Sequence, residues 1–269
     1  MIEITQNINT FYFVIFFLII IQSMIGIGVL VLGTPILLFL NYSLPDLLSV
    51  LLPISILTSL TNILVIGNFN FQNKKNKRGF VENYIPADKS LKNMFYFICL
   101  PSVFIGLIIL KSFGQHMNFK IIISFVIFSS LIIKLTLENK ITNISQIKKK
   151  FFLFLIGLVH GLSNSGGTLL ALMLTSINKD FKLESRMNIT FFYLVLALAQ
   201  YSIFLIIFKY IPNFYWVILM SIFVFIGSLL GDVLIKIIKQ SILRRFIDSL
   251  ALLSAIFLLF DGFELIKFN

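Results

Sequence analysis

From residue 160 the chain reads His-Gly-Leu-Ser-Asn-Ser-Gly-Gly and then returns to an apolar run. These residue types can do chemistry. His160 can donate a hydrogen bond or shuttle a proton. Ser163, Asn164 and Ser165 bring hydroxyl and amide donors, while Gly166 and Gly167 let the backbone leave the helix. N–H groups freed at the start of a half-helix carry partial positive charge and hold an anion without a buried cation. An earlier stretch, Gln-Ser-Met-Ile-Gly-Ile-Gly-Val-Leu-Val-Leu-Gly-Thr-Pro at 22–35, offers a more apolar version with Gly26, Gly28, Gly33 and Pro35. Two duller readings stand beside this one. His160 could cap the backbone of the break, and glycines could serve only to let helices approach, as Gly227 and Gly231 are read to do.

The elements that must position these residues lie in lipid. Of 269 residues, 58% are hydrophobic, 12% are charged and 31 are Phe, more apolar surface than a soluble fold of this length can bury. The expected fold is all-α and polytopic. About 20 apolar residues cross the hydrocarbon, and eight such segments are predicted near 11–40, 47–66, 94–113, 119–137, 151–177, 187–208, 214–235 and 246–266. The hydrophilic stretch 67–93 reads as a solvent-exposed cytoplasmic loop, too small to be a domain. The first residues lack a basic stretch before the apolar run, so they read as a membrane segment and not as a cleaved signal. The net charge of +11 resides in the loops, where it marks topology and meets lipid headgroups, and no aromatic-interleaved basic region suits a nucleic acid. The single cysteine, Cys99, excludes an internal disulfide.

The halves resemble one another. A shift of 138 residues places Gly28 on Gly166, Asp46 on Glu184 and Asn62 on Gln200, and Val-Phe-Ile-Gly at 103–106 recurs at 224–227. The expectation is two membrane repeats of four segments, 1–137 and 138–269. Such repeats build transport sites at the bilayer midplane. If segments one and five enter the membrane and return, 18 Lys and Arg fall on one side and only four, Lys111, Lys120, Lys209 and Lys267, on the other. The positive-inside rule favours that arrangement. It makes the repeats inverted and puts both termini outside. Eight plain crossings give a weaker bias.

Further polar residues follow. Asn62 and Gln200, at matching places on segments two and six, line a cavity or bond between helices. Arg186 and Asn188 open segment six, where Arg186 reads as a topology and headgroup residue, with anion entry as the alternative. Asp232, Asp248 and Asp261 read as interfacial, with proton coupling by one of them the other reading. Enzyme classes find little support. His160 and Ser163 share a helix at a spacing that rarely makes a dyad, His116 lies in a loop, and no HExxH, cysteine pair or P-loop is present. No metal or cofactor is called for. A nontransporting membrane chaperone or scaffold would not need a polar break in each repeat.

Gly-Ile-Gly-Val-Leu-Val-Leu-Gly-Thr-Pro at 26–35 resembles the G-I-G-G-G-x-L-x-V-P element of the sulfite exporter TauE/SafE family. Segment five resembles that family's second copy, and Val-Phe-Ile-Gly its later glycine-bearing helix in each half. Val29 and Leu30 stand where the first copy carries glycines, and Asn164 and Ser165 depart from the second. The resemblance implies a multi-pass carrier of the bacterial inner membrane, exporting sulfite, an organosulfonate or a similar small carboxylate. The substrate-binding residues expected are Gly26, Gly28, Asn62, His160, Ser163, Asn164, Ser165, Gly166, Gly167 and Gln200. The expected partners are a small anion and membrane lipids, with room for a homo-oligomer.

Overall fold

A computed structural model describes residues 8–40, 42–67, 89–114, 118–137, 146–177, 182–209, 214–238 and 240–263. Every element among them is helical. They are α1 (Ile8–Ile25), α2 (Val29–Phe39), α3 (Leu44–Thr61), α4 (Lys89–Met94), α5 (Leu100–Phe113), α6 (Phe119–Leu137), α7 (Gln146–Ser163), α8 (Gly166–Ile177), α9 (Lys182–Phe208), α10 (Phe214–Ile237) and α11 (Gln240–Gly262). The π-helical stretch Asn62–Gly67 extends α3, and another, Phe95–Cys99, joins α4 to α5. Ser43 starts α3 by accepting from the Asp46 N–H, with Pro45 in the first turn where a missing donor costs nothing. Most of the 67–93 stretch lies outside the described residues.

Among the described residues, four helices are long and apolar enough to cross a membrane, namely Leu44–Leu64, Ser90–Phe113, Arg186–Phe208 and Ile218–Ile237. Their skin carries Phe97, Ile206, Ile218 and Ile237, and α1 adds Phe13, each at least two-thirds exposed. Only lipid solvates such a surface without penalty. The protein is a multi-helix membrane protein.

Segments one and five are each split. The split in the first falls between Ile25 and Val29, and in the second between Ser163 and Gly166. Each contains a left-handed residue, Gly26 at φ +95° and Asn164 at φ +61°. Glycine takes that conformation freely, and asparagine is among the few other residues that tolerate it. The chain then doubles back. A β-carbon at Gly33 would lie 3.1 Å from Leu18 Cδ1, and one at Gly28 would lie 2.8 Å from the Gln22 nitrogen, so α2 returns alongside α1. Gly166 likewise rests on the backbone of Ile156 and His160, so α8 returns along α7. Helix α2 is buried along almost its whole length, from Val29 to Pro35 and at Leu37 and Leu38. Helix α3 is also central, with 72% of its apolar window buried against 33% to 39% in the other three long helices.

Two helix pairs pack most intimately, α1 with α10 and α5 with α7. Small residues make this closeness geometrically feasible. A methyl group at Gly161 of α7 would collide with the Val103 carbonyl of α5, and one at Gly231 of α10 would lie 2.6 Å from Ser23 Cβ of α1. Lipid supplies no hydrophobic drive between helices, so close van der Waals packing of this kind must hold them. Gly227 lies against Ile19 in the same α1–α10 seam, which fits the packing role read from the sequence for Gly227 and Gly231.

Candidate functional site at two helix breaks

The first break is closed from within. Gln22, near the end of α1, is fully buried. Its Nε2 donates to the Ser55 carbonyl at 2.9 Å and to Ser59 Oγ at 3.0 Å, both on α3. Its Oε1 accepts from the Val29 N–H at 3.1 Å, at the first residue of α2. One amide thus ties α1 to α3 and occupies a donor at the positive end of α2. The Tyr193 hydroxyl, from α9, faces the backbone of Leu30 and Val31 and the Ser55 side chain, though not at good hydrogen-bonding geometry. Beside Gln22, the Ser23 hydroxyl lies 2.7 Å from Asn62 Oδ1 and 2.8 Å from the Ser228 carbonyl. Asn62 stands where α3 passes into its π-helical extension.

The second break is less fully paired. The His160 carbonyl accepts from the Asn164 N–H at 2.9 Å, closing α7, and from Gln200 Nε2 at 3.0 Å. Asn164 Nδ2 donates to Thr34 Oγ1 at 3.2 Å. Ser163 and Ser165 bond locally, to the carbonyls of Val159 (2.9 Å) and Ser163 (3.2 Å). The Ser165 carbonyl accepts from Thr168 Oγ1 at 2.8 Å. Several groups are left over. Both ring nitrogens of His160, Asn164 Oδ1, Gln200 Oε1 and the Tyr193 hydroxyl are buried without a hydrogen-bond partner among the described residues. All four side chains are fully buried.

The breaks meet at Tyr193. Its ring stands edge-on to His160, with centroids 5.9 Å apart. A β-carbon at Gly167 would lie 2.6 Å from Tyr193 Cε2 and 2.8 Å from Val31 Cγ2, so Gly167, Val31 and Tyr193 form one contact. The Asn164–Thr34 bond links the second break to α2 as well. An unpaired polar group buried in hydrocarbon costs about 1–3 kcal/mol, and a bound polar ligand or water removes that cost. The His160 ring and the Tyr193 hydroxyl offer donors to a small oxyanion there, while the unpaired carboxamide atoms, Asn164 Oδ1 and Gln200 Oε1, are acceptors and suit a protonated oxygen of the ligand or a water.

A family model described as sulfite exporter TauE/SafE matches residues 11–258 of the 269. The chain belongs to the sulfite exporter TauE/SafE family. TauE/SafE proteins are membrane transporters of the sulfite or anion exporter type, so this chain is a transporter and not an enzyme. Searches among curated proteins and among solved structures find no match.

Within this TauE/SafE chain, the residues expected to bind substrate fall into two groups. Gly26, Gly28 and Asn62 belong to the first break. His160, Ser163, Asn164, Ser165, Gly166, Gly167 and Gln200 belong to the second. Asn62 and Gln200 do not bond to one another in the described hydrogen bonds; each serves its own break. The His160 ring lies against the backbone of Asn164 though not at good hydrogen-bonding geometry, so the capping reading and the ligand reading of this ring both stand. Arg186 departs from the headgroup reading. It is 3% exposed and paired with Asp232, because that carboxylate on α10 offers it a partner inside the protein. Asp261 pairs with Lys120 at 2.6 Å. A cavity of about 850 Å³ opens among Leu38, Lys111, Asn118, Lys120, Phe208 and Asp261, and no break residue lines it.

Sequence reasoning passed over Gln22, Thr34 and Tyr193. A signal for Gln22 existed, for the shift of 138 places it on His160, as it places Gly26 on Asn164. Tyr193 carried none, because a tyrosine among apolar helix residues reads as core.

Proposed function

We propose that this transporter carries a small oxyanion, such as sulfite, an organosulfonate or a small carboxylate, through a site at the second break. The observation that carries this reading is the fully buried His160 ring with both nitrogens unpaired and the Tyr193 ring edge-on to it; the unpaired Asn164 Oδ1 and Gln200 Oε1 beside them are acceptors and suit a protonated oxygen of the ligand. Intramembrane polar side chains are costly enough to mark function by default. Donors come from the His160 ring, the Tyr193 hydroxyl and the start of α8, whose dipole favours negative charge.

The carrier works by alternating access between two inverted repeats, 1–137 and 138–269, with both hairpins re-entrant. Three features support the repeats. The left-handed residues Gly26 and Asn164 correspond under the 138-residue shift. The α1–α10 pair is the counterpart of α7–α5, and each hairpin doubles back on itself. The 18-to-4 division of Lys and Arg supports insertion in a bacterial inner membrane with the termini outside. The cavity at Lys111 and Lys120 then faces outward and serves as a vestibule. A cysteine placed in the 41–46 loop should react with an impermeant reagent from outside, and one in 178–186 from the cytoplasm; the reverse result for 41–46 removes the inverted arrangement.

Flux into proteoliposomes tests the function, with sulfite, sulfoacetate, thiosulfate and lactate in parallel. Wild-type protein moves at least one of them, and His160→Leu and Gln200→Leu reduce that flux at least tenfold while the proteins stay folded. Unchanged flux in both variants moves the site elsewhere. No flux for any anion returns the chain to a scaffold role.

A further inference from the structure

A second buried polar cluster lies near the start of α9. Arg186 Nη1 donates to Asp232 Oδ1 at 2.9 Å, and Lys236, one turn further along α10, holds Asp232 Oδ2 at 2.8 Å. Two cations share one carboxylate, so the cluster carries one excess positive charge. The Lys236 side chain is 60% exposed while that of Arg186 is 2% exposed, so the charge runs from the surface inward.

Arg186 Nε and Nη2 are buried with no hydrogen-bond partner among the described residues. Those two N–H groups point in parallel from one edge of the guanidinium, the edge that grips two oxygens of a carboxylate, sulfonate or phosphate. Asp232 engages the remaining nitrogen and leaves that edge open. Arginine cannot shed its charge to escape burial, so an open edge in a dry place is costly. Nearby, Asn62 Nδ2 and Ser228 Oγ are also buried and unpaired, on residues that Ser23 Oγ adjoins at the Asn62 side-chain oxygen and the Ser228 backbone carbonyl. Ser228 stands one turn from Asp232 on α10. The Arg186 carbonyl adjoins Gly26, 2.9 Å from where its β-carbon would be. The cluster therefore abuts the first break.

We infer that Arg186 is a second anion station, taking one small oxyanion on its Nε and Nη2 between the surface at Lys236 and the first break. The station deepens the transport reading and rests on it, because an anion held there is one on its way to or from the second break. It gives the first break, whose own donors face Gln22 and Tyr193, a cation for its share of the path.

Calorimetric titration of the purified full chain in detergent, with methanesulfonate as the probe, tests the station. In a His160→Leu background, which disables the second break, methanesulfonate still binds. Adding Arg186→Lys keeps the Asp232 ion pair and the charge but removes the fork, and weakens binding by about tenfold or more, as losing one charge-assisted hydrogen bond does. Arg186→Gln weakens it further; if that variant misfolds, the lysine variant still decides. Unchanged binding on Arg186→Lys overturns the station, as does loss of all binding in His160→Leu alone or its absence in wild type. Dioctanoyl phosphatidylglycerol supplies the competing source of the same chemistry. If it binds in an Arg186-dependent way and methanesulfonate does not, the fork serves a headgroup phosphate and the station is overturned. Wild-type flux is measured on the same preparation. Its absence beside Arg186-dependent binding defeats the transport reading alone, and normal flux in Arg186→Lys defeats the role of the station in transport.

Discussion

Each break has one left-handed residue and a helix that returns beside the one before it, and the two differ in side chains. At the first, Gln22 reaches over the left-handed Gly26 to the Val29 N–H and leaves neither of its own polar ends unpaired. At the second, the matching position is His160, whose ring bonds to nothing among the described residues. A carboxamide carries an acceptor and a donor at the end of a flexible stem, so it can cap one helix while bonding another. An imidazole is shorter and rigid. The same hairpin is thus a sealed joint in one place and an unsaturated polar pocket in the other.

The largest effect expected from this contrast is on stability at position 22. Gln22→Leu strands the Val29 N–H and the Ser55 and Ser59 groups, and should lower unfolding stability in detergent by about 3 kcal/mol, taking roughly 1 kcal/mol per lost bond. His160→Leu loses no ring hydrogen bond and should change stability by less than about 1 kcal/mol while abolishing flux. Equal destabilisation of the two variants would erase the distinction.

Next comes Gly26→Ala, which forces an alanine to φ +95° and against Thr190 Oγ1 and the Arg186 carbonyl. About 2 kcal/mol is expected from the left-handed strain alone. Asn164→Gly keeps its conformation available and should cost about 1 kcal/mol, chiefly for the bond to Thr34. The reverse order in a thermal unfolding series would mean that the breaks are not equivalent in backbone.

The smallest effect sharpens the comparison most. His160→Gln installs the first break's residue at the second, where it can cap the start of α8. Stability should rise by about 1 kcal/mol, the worth of a helix-end hydrogen bond, and flux should fall at least tenfold. A variant that is both more stable and fully active would show that the unpaired ring is not what the transporter uses.

Much of this was legible before any coordinates. Glycine placement located both breaks, because backbone that leaves a helix in lipid must announce itself in residue type. The described ends of α6 match the predicted segment 119–137, since apolar runs end where water begins. What was not legible depended on neighbours distant in sequence. Whether Arg186 meets a headgroup or Asp232 is decided by how α10 lies against α9, and no local pattern contains that. Tyr193 became a site residue only because Val31 and Gly167 converge on it. Gln22 was hidden for a different reason, since the shift of 138 sets a histidine against it and the eye compares like with like.

Tyr193 has one more consequence. Its ring touches His160 and Gly167, and its hydroxyl faces Leu30 and Val31. Whatever shifts this side chain at one hairpin shifts it at the other, so an anion in the site proposed at the second break would be felt at the first. Linkage requires that coupling to be reciprocal. A ligand that draws the phenol toward α8 would loosen its hold on the tip of α2, and whatever tightens that hold would weaken the ligand by the same factor.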